Sequence, residues 1–262
     1  MNPTDWTLVN DLSDHQLDPF RDLRHRNPTR WSGTFIAEGY RVVQRLIASD
    51  LEVQSVLVSH RRLSSMQDLL AGTHRKIVVP QPIAEQLVGY NFHAGVLACG
   101  RRPPADPATV DWQATKHWIV LPGTQLPDNL GSIIRLGAAF GVDGVVLGPR
   151  SADPWSRRAV RVSMGNIFSI SIIEMGDICQ FLEDISHVGF ATIAAAISSE
   201  ATPLTQLVPP DRWALVLGNE ADGLDDAILR RCTHAAVVPM RHGVDSLNVS
   251  DAAAVFLYHL TR

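Results

Sequence analysis

The sequence predicts an α/β protein in two parts. A small α/β sandwich spans residues 1–105, a linker covers 106–115, and a larger, mostly parallel sheet occupies 116–262. Three observations carry this reading. Short apolar, β-branched runs alternate with stretches of helical periodicity along most of the chain. In the second half the strand-like runs are almost continuously apolar, as expected for strands covered on both faces. Residues 101–111, RRPPADPATVD, carry three prolines beside Asp and Thr, a composition that separates folding units.

In the first part, EGYRVVQRLIAS (38–49) places Val42, Val43, Leu46 and Ile47 at helical spacing. VQSVLVS (53–59) reads as a strand, 61–71 as a helix, KIVVP (76–80) as a strand, PIAEQLVG (82–89) as a helix and GVLACG (95–100) as a strand. In the second part the predicted strands are HWIVLP (117–122), DGVVLG (143–148), FSISIIE (168–174), FATIAAAI (190–197), WALVLG (213–218) and AAVVPM (235–240). Helices are expected at about 129–140, at 155–165, over DICQFLEDISHVG (177–189), over LDDAILRRC (224–232) and over LNVSDAAAVFLYHL (247–260).

Composition bounds the function. Of the 262 residues, 45% are apolar and 19% charged, a globular balance that excludes a disordered tail or a small stapled scaffold. No apolar run reaches the roughly 18 residues of a membrane span. The N-terminal stretch carries four Asp and no basic, apolar run, so it does not read as a secretory signal. Three scattered cysteines argue against a disulfide framework or a zinc site and fit a reducing cytoplasm. The net charge of −4 argues against a nucleic-acid partner until it is divided. Residues 1–105 carry 12 Lys or Arg against 10 Asp or Glu, whereas 106–262 carry 11 against 17. The cations are bunched: Arg21, Arg24, Arg26 and Arg30 form one cluster, Arg150, Arg157, Arg158 and Arg161 another, and only two of the 23 are Lys. Arginine suits bidentate phosphate contacts.

In a parallel sheet ligands gather at the carboxyl ends of strands, so the post-strand loops direct the search. DNLGSIIR (128–135) follows the first strand of the second part. Asp128 and Asn129 are candidate helix caps, Gly131 allows close backbone approach, and Arg135 lies about 140° around the helix from Leu130, off the apolar stripe. GNEADG (218–223) follows WALVLG and offers backbone amides and one carboxylate. MRHGVDSLNVS (240–250) follows AAVVP; Ser246 is expected to cap the last helix, with Asn248 in its first turn, where an amide side chain needs another reason to be. No GxGxxG, GxxxxGK[ST], HExxH or GxSxG pattern occurs, so hydride transfer, nucleoside triphosphate hydrolysis, zinc hydrolysis and the serine elbow lose their support.

Taken together, these loops resemble the SpoU/TrmH family of RNA ribose 2′-O-methyltransferases, within the SPOUT superfamily. Asn129, Gly131 and Arg135 match an Asn-x-Gly-x-x-x-Arg motif. Gly218, Glu220 and Gly223 match Gly-x-Glu-x-x-Gly after an apolar strand, and Val238, Pro239, Met240 and Ser246–Ser250 match the third motif. RVSMGNIF (161–168) resembles an intermediate Ser-Met-Gly segment. RNPTRWSGTFIAEGYRVVQ and GVLACG resemble the start and last strand of the family's ribosomal-protein-like RNA-binding domain, where a Phe-x-x-Glu-Gly segment opens the first helix. Departures are few: Asp251 stands where a small or apolar residue is common, and Arg241-His242 make the third loop more polar.

The resemblance implies a trefoil-knotted C-terminal fold, an S-adenosylmethionine cofactor, no metal, and a homodimer through the C-terminal domain. It places the cofactor against Gly218, Val238, Met240 and Leu247. Arg135 is implied as the base or alkoxide stabiliser, Glu220 as its orienter, and Asn129, Ser246 and Asn248 as positioning groups. RNA is the implied partner, with Arg24, Arg26 and Arg30 contacting phosphate. The N-terminal domain favours 23S rRNA over tRNA. A tRNA ribose methyltransferase, or an RNA-binding or ribosome assembly factor without catalysis, is the alternative.

Overall fold

The computed structural model describes residues 6–24, 29–70, 75–198, 200–219, 222–241 and 246–262; at 29 and 30 it describes the backbone alone. The chain forms two units. One takes in Met1–Pro103 with Trp155–Phe168, the other Pro104–Pro154 with Ser169–Arg262.

The first unit contains β1 (Trp6–Leu8), α1 (Thr29–Ser32), β2 (Thr34–Glu38), α2 (Tyr40–Ile47), β3 (Val53–Ser59), α3 (Leu63–Met66), β4 (Arg75–Val79), α4 (Gln81–Val88) and β5 (Val96–Arg101). Its sheet has the order β1-β4-β3-β5-β2. β1, β4 and β3 run parallel, while β5 is antiparallel to both β3 and β2. One core gathers Leu17, Phe20, Leu57, Ile77, Leu87 and Leu97, all nearly inaccessible. Two sequence expectations change here. The helical pattern beginning at Glu38 starts at Tyr40 instead, because Phe35–Glu38 are strand and Gly39 turns the chain at φ +94°. The helix expected over 61–71 shrinks to a single turn of 3-10 helix and the four-residue α3, and Ala71 lies outside the described residues.

The second unit contains β6 (His117–Leu121), α5 (Pro127–Ala139), β7 (Gly144–Leu147), β8 (Ser171–Glu174), α7 (Ile178–His187), β9 (Ala191–Ala195), β10 (Thr202–Pro203), β11 (Trp213–Val216), α8 (Asp226–Leu229), β12 (His234–Val237) and α9 (Val249–Leu260); α6 (Arg157–Val162) belongs to the first unit. The sheet order is β10-β12-β9-β11-β6-β7-β8. Every neighbouring pair is parallel. Successive residues of β6 point to opposite faces. Trp118 and Val120 enter a core with Phe181, Leu182 and Ile185 of α7. Ile119 faces the other side, where a Cβ on Gly137 of α5 would lie 3.2 Å from its Cδ1. Both faces are therefore covered, which is why these strands read as unbroken apolar runs.

Two assignments made from contiguity along the chain do not hold. The segment 106–115 is docked rather than a free linker. Its Trp112 ring lies 4.6 Å from Trp118 and 5.4 Å from Phe181, and Arg212 donates to the carbonyls of Trp112, Thr115 and Val188. The segment Trp155–Phe168, expected within the second part, packs on the first unit's sheet. There Phe35 meets Trp155 at 4.8 Å and Phe168 at 5.5 Å between ring centroids. Gly100, opposite Phe35 in register, makes the room: a Cβ there would lie 2.5 Å from the Phe35 ring. Arg157 Nη1 pairs with buried Glu38 Oε2 at 2.6 Å, Arg157 Nη2 donates to Leu23 O, and the guanidinium lies 4.6 Å from the Tyr90 ring centre. Burial first, and then the Glu38 carboxylate, raise the Tyr90 pKa far above its usual value, so the phenol stays protonated. Among the described residues no helix is long and apolar enough to cross a membrane.

Candidate active site

The parallel order of the second unit delivers the chain after β6, β9, β11 and β12 to one edge of the sheet. The loop after β11 is shaped by its glycines. A Cβ on Gly218 would lie 2.4 to 2.7 Å from the backbone of Gly223, so no other residue fits without moving the loop. Asn219 N–H donates to Gly223 O at 3.0 Å, Asp222 N–H donates to Asn219 Oδ1 at 2.6 Å, and Gly223 closes the turn at φ +71°. The Gly-x-x-x-x-Gly spacing is thus a statement about backbone approach. Glu220 lies outside the described residues.

The loop after β6 leads into α5, with Leu126 at the N-cap and Pro127 at the start of the first turn. Asp128 and Asn129, expected as caps, both sit inside that turn. Proline needs no amide partner and takes over the start, which leaves the Asn129 side chain for other contacts. Asn129 is buried, and its Oδ1 accepts from Asn248 Nδ2 at 3.2 Å. Asn248 in turn is the N-cap of α9: its Oδ1 accepts from Ser250 N–H at 2.8 Å and from Ser250 Oγ at 2.7 Å. The cap therefore falls two residues later than Ser246, where the sequence placed it. One amide side chain satisfies the helix with its oxygen and holds Asn129 with its nitrogen.

The segments after β9, β11 and β12, together with α9, enclose a cavity of about 370 Å³, within the size range of small-molecule sites. Gly218, Val238, Met240 and Leu247, the four residues expected to hold a cofactor, all line it, as does Ser246. Among the described residues its wall is largely apolar, with Leu217, Leu224, Val237 and Phe256, and its polar groups are few: Ser198, Asn219, Asp222 and Ser246. Asn248 lies between the lining residues Leu247 and Val249. A further wall, Ala195–Ser198, comes from the end of β9 and the loop after it and was absent from the sequence reading. The signal for it was available only with the strand order, which places β9 between β11 and β12.

Other expected site residues stand apart. Arg135 is exposed on α5, does not line the cavity, and makes no hydrogen bond or ion pair with another described residue. On the first unit Arg24 is exposed, Arg26 lies outside the described residues, and so does the side chain of Arg30. Sequence reasoning also missed Arg150 as a connector: its Nη2 meets Asp225 Oδ2 at 3.1 Å, and its side chain lies over Gly123, where a Cβ would approach it to 3.3 Å.

Comparison with known proteins follows the same outline. A model of the SpoU rRNA Methylase family matches residues 116–258. An uncharacterised tRNA/rRNA methyltransferase of Mycobacterium tuberculosis is 36% identical, covering 97% of this chain and 91% of its own. The 23S rRNA (guanosine(2553)-2′-O)-methyltransferase RlmP of Bacillus subtilis is 25% identical, covering 96% and 98%. The crystal structure of an AdoMet-bound rRNA methyltransferase from Sinorhizobium meliloti superposes with a TM-score of 0.84 at 20% identity, over 98% of this chain and 97% of that one. The fold of both units is therefore one already known.

Proposed function

Because this chain belongs to the SpoU rRNA methylase family, we propose that it transfers a methyl group from S-adenosylmethionine to a ribose 2′-hydroxyl of 23S rRNA. The observation that carries the reading is the cavity after β9, β11 and β12, lined by Gly218, Val238, Met240 and Leu247. It fits the cofactor's chemistry: an apolar wall for the adenine, backbone brought close by Gly218, and a few polar groups for the ribose and amino-acid ends. The ribosomal target is supported by a relative of that activity, RlmP, which aligns over both units rather than the second alone. The reaction belongs in the cytoplasm, with the ribosome.

When bound, the cofactor supplies a methyl already activated by a positive sulfur. The protein's task is then to align the hydroxyl and manage its proton. A guanidinium stays protonated in proteins, so Arg135 serves as the stabiliser of the developing alkoxide and of a neighbouring phosphate, with Glu220 orienting it. Asn129, Ser246 and Asn248 position the ribose and the loop, the first and last already joined by a hydrogen bond. Arg135 lies outside its own chain's cavity, and Leu126, Leu247, Val255 and Tyr258 leave apolar surface exposed around α5 and α9. Both facts support a homodimer through the second unit in which Arg135 reaches the other protomer's cavity. The family's trefoil knot is part of the same proposal.

The test is transfer of a tritiated methyl from S-adenosylmethionine to ribosomal RNA, followed by mapping 2′-O-methyl positions in 23S rRNA from cells with and without the gene. A 23S position that loses its methyl with the gene supports the proposal. Label entering tRNA alone would reassign the substrate.

A further inference from the structure

Trp31 is the anomaly of the first unit. It is 90% exposed, whereas Trp118, Trp155 and Trp213 are at most 2% exposed and Trp6 and Trp112 are half-buried. An indole has much apolar surface to bury, so leaving one in water at this site needs a reason.

The ring is carried on a braced support. Gly33 turns the chain at φ +65° between α1 and β2, and the hydroxyls of Ser32 and Thr34 on either side are 2.8 Å apart. Gly33 O accepts from the backbone N–H of Arg102 at 2.9 Å, which ties the turn to the end of β5. The antiparallel register sets Thr34 opposite Arg101, so β5 brings the Arg101-Arg102 doublet to the corner that holds Trp31. Arg101 is held in place by Glu52, Nε to Oε2 at 2.5 Å and Nη2 to Oε1 at 3.2 Å, with both side chains more than half exposed. The immediate neighbours, Ser32 and Gly33, are exposed and carry no apolar bulk. Among the described residues the corner is thus a single aromatic face among polar and cationic groups, too narrow for an apolar protein interface. Flat aromatic faces beside arginines are how proteins hold unpaired bases, by stacking on the ring while cations meet the backbone.

We propose that Trp31 is a stacking platform for one unpaired nucleobase of the RNA substrate, at a corner whose cations, Arg101 and Arg102, favour the adjoining phosphate. The proposal rests on reading residues 1–105 as the RNA-binding part and names the subsite within it.

The experiment uses the full chain and two fluorescein-labelled RNA probes of equal length: an oligouridylate and its counterpart with abasic positions. Wild type is expected to prefer the intact oligomer, and Trp31→Ala to bind it about tenfold more weakly, the worth of one stacked base, with binding to the abasic oligomer unchanged. Trp31→Phe should keep most of the affinity. The intact oligomer should also quench tryptophan emission in wild type and not in Trp31→Phe. Equal binding of the intact oligomer by wild type and Trp31→Ala overturns the proposal, as does failure of acrylamide to reach Trp31 in the RNA-free protein, which would mean that a protein surface covers it. A variant with Arg24, Arg26 and Arg30 all changed to Ala separates the two readings. If it binds RNA more weakly with a flatter salt dependence while Trp31→Ala behaves as wild type, the stacking site alone fails. If wild type binds neither oligomer and the triple variant changes nothing, the RNA-binding reading fails and takes the stacking site with it.

Discussion

The two sheets differ in where their strands deliver the chain. In the seven-stranded sheet all neighbours are parallel, so the chain after β6, β9, β11 and β12 emerges at one edge, and the segments after β9, β11 and β12 close a cavity with α9. In the five-stranded sheet β5 opposes β2 and β3, so the end of β5 meets the start of β2, and what gathers there is a corner of side chains around Trp31. Parallel order concentrates loops and suits a small ligand held by main chain. Mixed order sets the end of one strand beside the start of its neighbour, and here it brings Arg101 and Arg102 to the turn that carries Trp31.

The largest effect is expected from Arg135→Ala, which should lower methyl transfer by about 10²–10³, the usual worth of one group stabilising developing charge, while calorimetry finds cofactor affinity unchanged. Retained activity would remove Arg135 from the chemistry. The reciprocal change is Gly218→Val. Its side chain must displace the backbone of Gly223, and the strained loop should lose cofactor affinity by roughly a hundredfold, about 3 kcal/mol. Normal cofactor binding would show that the cavity is not built on this contact.

The first unit answers to a different change. Arg157→Ala leaves the Glu38 carboxylate buried without its partner. The loss should be about 2–3 kcal/mol, less than for a fully buried pair because Arg157 keeps some solvent contact. It should appear in thermal unfolding with cofactor affinity intact; a matching loss of cofactor affinity would mean that the two units do not divide the work as described. The smallest effect is expected from Asn248→Ala, which removes the cap of α9 and the bond to Asn129. About 1 kcal/mol of stability should go with the cap. An unchanged unfolding midpoint would mean that the cap is replaced by water.

Much of the second unit was legible. Its parallel strands announced themselves as apolar runs because both faces are covered, and the Gly218 and Gly223 pattern was visible because close backbone approach tolerates only glycine. The four expected cofactor residues sit together because each follows the end of a strand. The cap of α9 was misplaced by two residues because Ser246 and Asn248 have similar capping propensity, and only the bond to Asn129 distinguishes them. The β2 strand was not read from the sequence, and its last residue, Glu38, was counted into the following helix because a buried charge looks helical until its partner Arg157 is in view.

The sequence by itself determined most of the longer strands and helices, the parallel class of the larger sheet and the loops after β6, β11 and β12, since periodicity and glycine placement are local properties; the short strands β1 and β10 and the strand β2 were not legible in it. Tertiary structure alone decided which unit owns a segment. Trp155–Phe168 leaves its neighbours in the chain to stack on Phe35, residues 106–115 dock through Trp112, and the end of β9 adds a wall to the cavity. Each depends on a partner 20 or more residues away along the chain, and no local pattern encodes a partner.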